Sequence, residues 1–234
     1  MSLYFRQLYA GRDFGRNNPV CGQMENFVYL IGDTETKECV LVDPAWAVDD
    51  IVTVAAADGM RITGALATHY HPDHVGGTMF GFTVEGIARL IAKNPCKLHC
   101  HSLEAEGIRK VTGLSTTDLI QHSSGDKVQV GAIEIEWLHT PGHTPGSSCF
   151  RLQHALVAGD TLFLQGCGRV DLPGGDPDEM YITLSQRLAS LPGDMMLYPG
   201  HSYGGMSAQL SDVRRLNPYL QAQNLAQFRR TRGV

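Results

Sequence analysis

The sequence predicts a layered α/β fold in which sheets form the interior and helices the exterior. Short apolar segments typical of strands alternate with amphipathic segments typical of helices, and this order occurs once in each half of the 234 residues. Because no Pro- or Gly-rich linker separates the halves, we predict a single domain over residues 1–234. A chain of this length can bury a large hydrophobic core.

In the first half, predicted strands and helices alternate. Strands are predicted where apolar residues run together or alternate with polar ones, at residues 4–9, 26–31, 39–42, 62–67 and 97–101. Helices are predicted where apolar residues recur every three or four positions, at residues 49–58, 84–92 and 103–111. The second and third strands form a predicted hairpin, since a polar turn separates them.

In the second half, strands dominate up to residue 158. The same criteria predict strands at residues 127–130, 133–139, 147–152, 155–158 and 195–198. An amphipathic helix is predicted at residues 178–191, because Met180, Leu184 and Leu188 are spaced four apart. A last helix is predicted within residues 208–228.

The composition argues against several classes of function. The net charge is −5 and the basic cluster Arg229, Arg230 and Arg232 is interpreted as a solvated tail, so we expect no nucleic-acid partner. No segment approaches the ~20 apolar residues of a membrane span, so no membrane association is expected. The N-terminus lacks the apolar run of a signal peptide. We therefore expect a cytoplasmic protein that acts on a small molecule, and the sequence leaves its oligomeric state open.

The six cysteines are expected to be mostly reduced in that compartment. Cys96 and Cys100 lie beside His99 and His101 in the segment Cys-Lys-Leu-His-Cys-His, which suggests a zinc knuckle. No second Cys/His pair lies at the spacing of a zinc finger. We therefore favour alternating positions of one strand.

Residues 69–74, His-Tyr-His-Pro-Asp-His, are the most informative segment of the chain. Imidazole and carboxylate groups are ligands suited to Zn²⁺ and related metals. His69 and His71 follow a predicted strand and, two residues apart, face one side of an extended chain. Pro72 suits the first position of a helix, which turns Asp73 and His74 toward a second ion. The alternative is that these histidines are ordinary core or surface residues. Four potential ligands at this spacing after a buried strand disfavour that alternative.

Three further loops each follow or join predicted strands and present one ligand type. His143 lies in a loop pinned by Gly and Pro, Asp160 follows the strand at 155–158, and His201 follows the strand at 195–198. Taken alone, an aspartate after a strand is usually a cap, and a single histidine usually has a structural role. Together they indicate a site, because enzymes of the α/β class place functional residues on strand-end loops.

The motif His-x-His-x-Asp-His resembles the signature of the metallo-β-lactamase superfamily. The resemblance covers nearly the whole chain and implies a four-layer αββα sandwich with a site at one edge. It implies two divalent metal ions, expected to be zinc, with iron or manganese as alternatives. His139 is a competing ligand to His143, and the Pro-Gly-His-Thr-Pro-Gly frame favours His143. The implied ligands are His69, His71 and His143 for one ion, Asp73, His74 and His201 for the other, and Asp160 as a bridge.

The implied activity is hydrolysis of an ester, thioester or lactone by metal-bound hydroxide, because bound metal lowers the pKa of water to about 7. Asp73 and Asp160 are the implied catalytic residues, which orient the hydroxide or accept its proton. The segment Gly-Cys-Gly-Arg at 166–169 is similar to glyoxalase II, in which a basic residue lies near glutathione. Arg169 is the implied substrate-binding residue, and a surface salt bridge is the alternative. Asp171 stands where glyoxalase II has its glutathione-binding tyrosine.

The same segment is also similar to persulfide dioxygenases, which provide the runner-up function. Those enzymes use one iron, which here would be held by His69, His143 and Asp160, and they oxidise their substrate. The segments His-Pro-Asp-His-Val-Gly-Gly and Leu-Pro-Gly-Gly-Asp favour the hydrolases. A β-lactamase and a non-catalytic binding protein are less favoured, since no export signal is evident and every expected ligand position is filled.

Overall fold

The computed structural model describes residues 2–234 and contains fourteen strands and eight α-helices within that range. The strands are β1 (Leu3–Tyr9), β2 (Phe27–Asp33), β3 (Glu38–Val42), β4 (Arg61–Leu66), β5 (Gly77–Met79), β6 (Phe82–Val84), β7 (Lys97–His101), β8 (Leu119–His122), β9 (Lys127–Val130), β10 (Ile133–His139), β11 (Ser148–Arg151), β12 (Ala155–Gly159), β13 (Met196–Pro199) and β14 (Ala208–Gln209). The helices are α1 (Pro19–Met24), α2 (Val48–Ala57), α3 (Pro72–Val75), α4 (Ile87–Lys93), α5 (Ala105–Thr112), α6 (Pro177–Ile182), α7 (Leu210–Leu216) and α8 (Leu225–Arg232).

Two six-stranded sheets form the interior. The first has the order β1-β2-β3-β4-β7-β8, and the second has the order β14-β13-β12-β11-β10-β9. Strands β3, β4, β7 and β8 are parallel, as are β12 and β13, and the remaining pairs of the two sheets are antiparallel. A parallel pair places its carboxyl ends at the same edge, which is where α/β proteins build their sites.

Each sheet is buried on both faces, which makes the structure four layers deep. In β2, Val28 and Leu30 pack in the cluster that contains the apolar residues of α2, α4 and α5, whereas Tyr29 and Ile31 pack between the sheets. Strand β12 behaves in the same way, with Val157 between the sheets and its neighbours against α6 and α7. Side chains alternate across a strand, so one strand serves two cores. The predicted αββα sandwich is confirmed.

Several element boundaries differ from the prediction. The helix predicted at 178–191 begins as α6, but it becomes a π-helical turn at Thr183–Arg187 and ends there. Residues 82–84 form a strand, so the helix predicted at 84–92 starts at Ile87. The last helix is two helices, because Pro218 follows the C-cap Asn217 of α7 and cannot continue it.

The strand predicted around the Cys-Lys-Leu-His-Cys-His segment contains Cys100 but begins after Cys96. All six thiols are free and buried, and Cys100 occupies an inward position of β7. None of the helices described is long and apolar enough to cross a membrane.

Candidate metal centre

The first sheet delivers the His69–His74 segment at the carboxyl end of β4. His71 precedes α3, and Pro72 occupies the first helical turn, as its fixed φ favours. Helix α3 is a single turn, which reverses the chain immediately and points Asp73 and His74 back into the protein. Asp43 lies beside them, because β3 is parallel to β4 and ends at the same edge.

The second sheet delivers the other three predicted residues at the same edge. His143 lies in the loop between β10 and β11, Asp160 follows β12, and His201 follows β13. Backbone hydrogen bonds join the two sheets here: Ser148 N donates to Thr68 O at 2.9 Å, and Phe27 N donates to Gly200 O at 2.8 Å. Both contacts flank the candidate site and fix the distance between its two halves.

Three histidines form the first donor set. His69, His71 and His143 each offer one nitrogen, and these atoms lie within 4.8 Å of one another. Nδ1 of His71 and Nε2 of His143 are 2.9 Å apart. The rings of His69 and His71 are nearly perpendicular, so the nitrogens converge on one point from different directions.

Asp73, His74 and His201 form the second donor set, whose donor atoms also lie within 4.8 Å of one another. Nε2 of His74 and Nε2 of His201 are 3.2 Å apart. Each of these nitrogens lies 3.4 Å from Asp73 Oδ2. All three residues are buried.

Asp160 lies between the two sets. Its Oδ1 is 3.4 Å from Nε2 of both His74 and His201, and its Oδ2 is 3.7 Å from Nε2 of His143. Each carboxylate oxygen therefore faces a different donor set. The seven residues predicted from the sequence all converge at this edge.

Hydrogen bonds on the far side of the rings determine which nitrogens face the centre. Nδ1 of His143 donates to the carbonyl of Arg169 at 2.7 Å, and Nδ1 of His201 donates to the carbonyl of Met24 at 2.7 Å. Nδ1 of His74 donates to Asp43 at 2.9 Å. In the neutral form of each ring the proton is held on Nδ1, which leaves the inward Nε2 as the nitrogen available to a metal.

The centre fits a cation on two further observations. Ring nitrogens that face each other at about 3 Å, as they do in both donor sets, share either a proton or a cation. Within the described chain, His69 Nε2 and Asp160 Oδ1 are buried side-chain atoms without a hydrogen-bond partner. Buried polar atoms are normally satisfied, so such orphans at a cluster of ligands point to metal coordination. The donor set of imidazoles and carboxylates suits divalent transition metals.

The histidines of the two donor sets differ in pKa. Burial lowers the pKa of His69 and of His143, and it lowers the pKa of His71 to about 4. Burial also opposes protonation of His74, but Asp73 and Asp160 outweigh it and raise the pKa of His74 to about 10. The first set is therefore neutral and ready for a cation at pH 7. A cation in the second set has to displace a proton.

Two supporting residues were not identified from the sequence. Asp43 accepts from His74 and from Thr68 Oγ1 (2.6 Å), and Thr68 Oγ1 lies 3.0 Å from Nδ1 of His69. Asn26 donates to Asp73 Oδ2 at 3.2 Å and accepts from Trp46 Nε1 at 3.0 Å. Asp43 could have been identified as a candidate from the sequence, because it directly follows a buried strand.

His139 and Arg169 lie outside the donor sets. The His139 ring stacks on His101 at 4.1 Å, and its Nε2 faces the carbonyl of Pro145. The Arg169 guanidinium is exposed and pairs with Asp171 at 2.7 Å. Gly168 precedes it at a point of close approach, because a Cβ there would meet the carbonyl oxygen of Asp160 at 2.1 Å and the His143 ring at 2.9 Å.

Comparison with known proteins gives the family. The sequence profile of the metallo-beta-lactamase superfamily matches residues 22–201, which contain all seven convergent residues. The chain belongs to the metallo-β-lactamase superfamily. This superfamily includes enzymes, and the donor set is of the type that binds divalent metals.

Relatives within the superfamily include two different enzyme classes. The persulfide dioxygenase ETHE1 of Bos taurus is 33% identical over 204 residues, which cover 83% of this chain and 71% of that protein. The hydroxyacylglutathione hydrolase (glyoxalase II) of Polaromonas sp. strain JS666 is 40% identical over 184 residues, 76% of this chain and 62% of that protein. The crystal structure of ETHE1 from Myxococcus xanthus has a TM-score of 0.78 at 28% identity and covers 98% of this chain and 90% of its own. Similarity alone does not decide between the two reactions.

Proposed function

We propose that the protein is a hydrolase that holds two divalent metal ions and cleaves an ester, a thioester or a lactone. The observation that carries this proposal is the position of Asp160, whose two oxygens face two donor sets of three residues each. A mononuclear centre needs only one such set. Five of the six residues are buried, and the outer nitrogens of all the histidines but His71 make hydrogen bonds, which supports a dinuclear centre.

In this proposal the ligands of the first ion are His69, His71 and His143, and those of the second are Asp73, His74 and His201, with Asp160 shared. Two ions bound there would supply a water of lowered pKa and a Lewis acid for the substrate carbonyl. Asp73 and Asp160 would orient that water and accept its proton. Arg169, exposed near the rim, attracts an anionic part of the substrate.

A persulfide dioxygenase is the second candidate. ETHE1 of Bos taurus matches 83% of this chain, and the ETHE1 structure aligns over 98% of it. In this alternative, one iron is held by His69, His143 and Asp160. The second donor set would then serve hydrogen bonding rather than metal binding.

Metal content and two assays separate the candidates. The protein as purified is analysed for zinc, iron and manganese, then tested for hydrolysis of a panel of thioesters, lactones and β-lactams and for oxygen consumption with glutathione persulfide. About two metal equivalents together with hydrolysis are expected. One tightly held iron, with oxygen consumed and no hydrolysis, reverses the assignment. His201→Ala is the matched variant: it abolishes hydrolysis if the second ion is required.

A further inference from the structure

Glu104 is a fully buried carboxylate at the end of a 3₁₀ turn, Ser102–Glu104, that leads into α5. Its Oε2 accepts from Tyr70 N at 2.7 Å. Its Oε1 accepts from Thr144 Oγ1 at 2.8 Å and from Gly146 N at 2.7 Å. All three partners donate, so the ionised form of Glu104 is the one that matches them.

The three donors belong to the two loops that carry the first donor set. Tyr70 stands between His69 and His71, and Thr144 directly follows His143. Gly146 allows the close approach, because a Cβ at that position would lie 2.7 Å from Glu104 Cγ. The carboxylate therefore joins a loop from the first sheet to a loop from the second sheet, and none of its three hydrogen bonds is to a candidate metal ligand.

We propose that Glu104 is a positioning residue that sets the distance between the His69–His71 loop and the His143 loop, and thereby the affinity of the first metal site. The inference rests on the metal centre of the proposed function but not on the reaction, since both candidate reactions use these loops. A Gln at this position would turn an amide donor toward a backbone N–H. The loops would then separate to relieve that contact.

The second donor set has different supports, so the effect of Glu104 is selective. His74 is held by Asp43, His201 by the carbonyl of Met24, and Asp73 by Asn26. A buried anchor with a purely structural role would instead weaken both sites together, through the stability of the whole fold. Selectivity between the two sites is therefore the readout that separates positioning from general stability.

The test measures Zn²⁺ affinity by competition with a chromophoric chelator. Glu104→Gln is introduced into a His201→Ala background, which keeps the first set, and into a His143→Ala background, which keeps the second. In the first background the affinity should fall about 10- to 100-fold, as it does for residues that orient metal ligands. In the second background it should change less than threefold. Glu106→Gln is the matched control, because Glu106 is exposed on the same segment.

An equal loss in both backgrounds, or no loss in either, overturns the inference while leaving the proposed function intact. Failure of the otherwise unaltered protein to bind Zn²⁺ overturns the proposed function and the inference with it. Thr144→Val serves if Glu104→Gln does not fold, because it removes one of the three hydrogen bonds. It should lower the affinity of the first site alone, by a smaller factor.

Discussion

Asp43 accepts a hydrogen bond from Nδ1 of His74 at 2.9 Å and, through the same oxygen, from Thr68 Oγ1 at 2.6 Å. Thr68 Oγ1 in turn accepts from Nδ1 of His69. One carboxylate therefore orients a histidine in each donor set. Ring orientation by such an outer partner fixes the tautomer and raises the basicity of the inward nitrogen.

Asp43→Asn is expected to lower metal affinity about 10- to 100-fold, because an amide is a weaker acceptor for the His74 N–H. Asn keeps the left-handed backbone that Asp43 adopts at φ 52°. Metal content after dialysis measures the effect. Asp33→Asn is the control: Asp33 is equally buried, accepts two backbone N–H groups and lies at the opposite edge of the sandwich. Loss of metal in the Asp33 variant would contradict the prediction.

Asp160→Ala is expected to abolish activity and reduce the metal content while the fold is kept. Facing histidines hold the pKa of this buried carboxyl well below its ordinary value, so it is charged. Its carboxylate faces His74, His143 and His201 and not an apolar cluster, so we expect truncation to remove little packing. Circular dichroism and metal analysis check the two parts. Full activity in this variant would refute the bridging role.

Arg169→Gln is expected to raise the KM for an anionic thioester about two- to fivefold, which corresponds to the ~0.4–1 kcal/mol of an exposed charge interaction. The backbone carbonyl that accepts from His143 remains, so kcat should change little. Arg61→Gln is the matched control, since Arg61 pairs with Glu38 at the far end of β4. An unchanged KM would assign Arg169 to a surface ion pair with Asp171 alone.

Acid is expected to destabilise the metal-free fold through its buried histidines, two of which lie outside the metal centre. Nδ1 of His99 lies 2.8 Å from Nε2 of His122, and His101 stacks on His139. Burial, and then the neighbouring histidine, lowers the pKa of His99 and of His101 to about 4. The unfolded chain binds these protons near pH 6.5, so stability is complete above that pH and declines as the pH falls toward 4.

The thermal unfolding midpoint of metal-free protein, recorded between pH 7.5 and 4.5, measures this dependence. His99→Gln removes one titrating group and should flatten the profile. His154→Gln should leave it unchanged, because His154 is exposed. A steeper profile for the His99 variant than for the unaltered chain would argue against the mechanism.

The donor residues could be predicted because their signals are local. Three histidines and an aspartate lie within six residues after a strand. Pro72 indicates the turn that separates the ligands of the first donor set from those of the second. His143, Asp160 and His201 each occupy a loop at the end of a strand. Parallel strands bring such loops to a common edge, so the pattern of strands gave the location as well as the ligands.

The supporting residues could not be predicted in this way. Asn26 meets Asp73 across 47 positions, and Glu104 meets Gly146 across 42. No period or motif marks such pairs, since their contact depends on how the sheets pack. The predicted end of the helix at 178–191 was wrong for a related reason. Leu188 N donates to the carbonyl of Thr183, five residues back, and apolar residues spaced four apart do not reveal such a π-helical turn.

The candidate centre draws His69–His74 from one sheet and His143, Asp160 and His201 from the other. An ion bound by ligands from both sheets would act as a reversible cross-link between the two sheets. Each tenfold rise in free metal above the dissociation constant adds about 1.4 kcal/mol to the folded state. Resistance to a protease at the exposed turn 123–126, which connects the sheets, should therefore rise and fall with the metal supply.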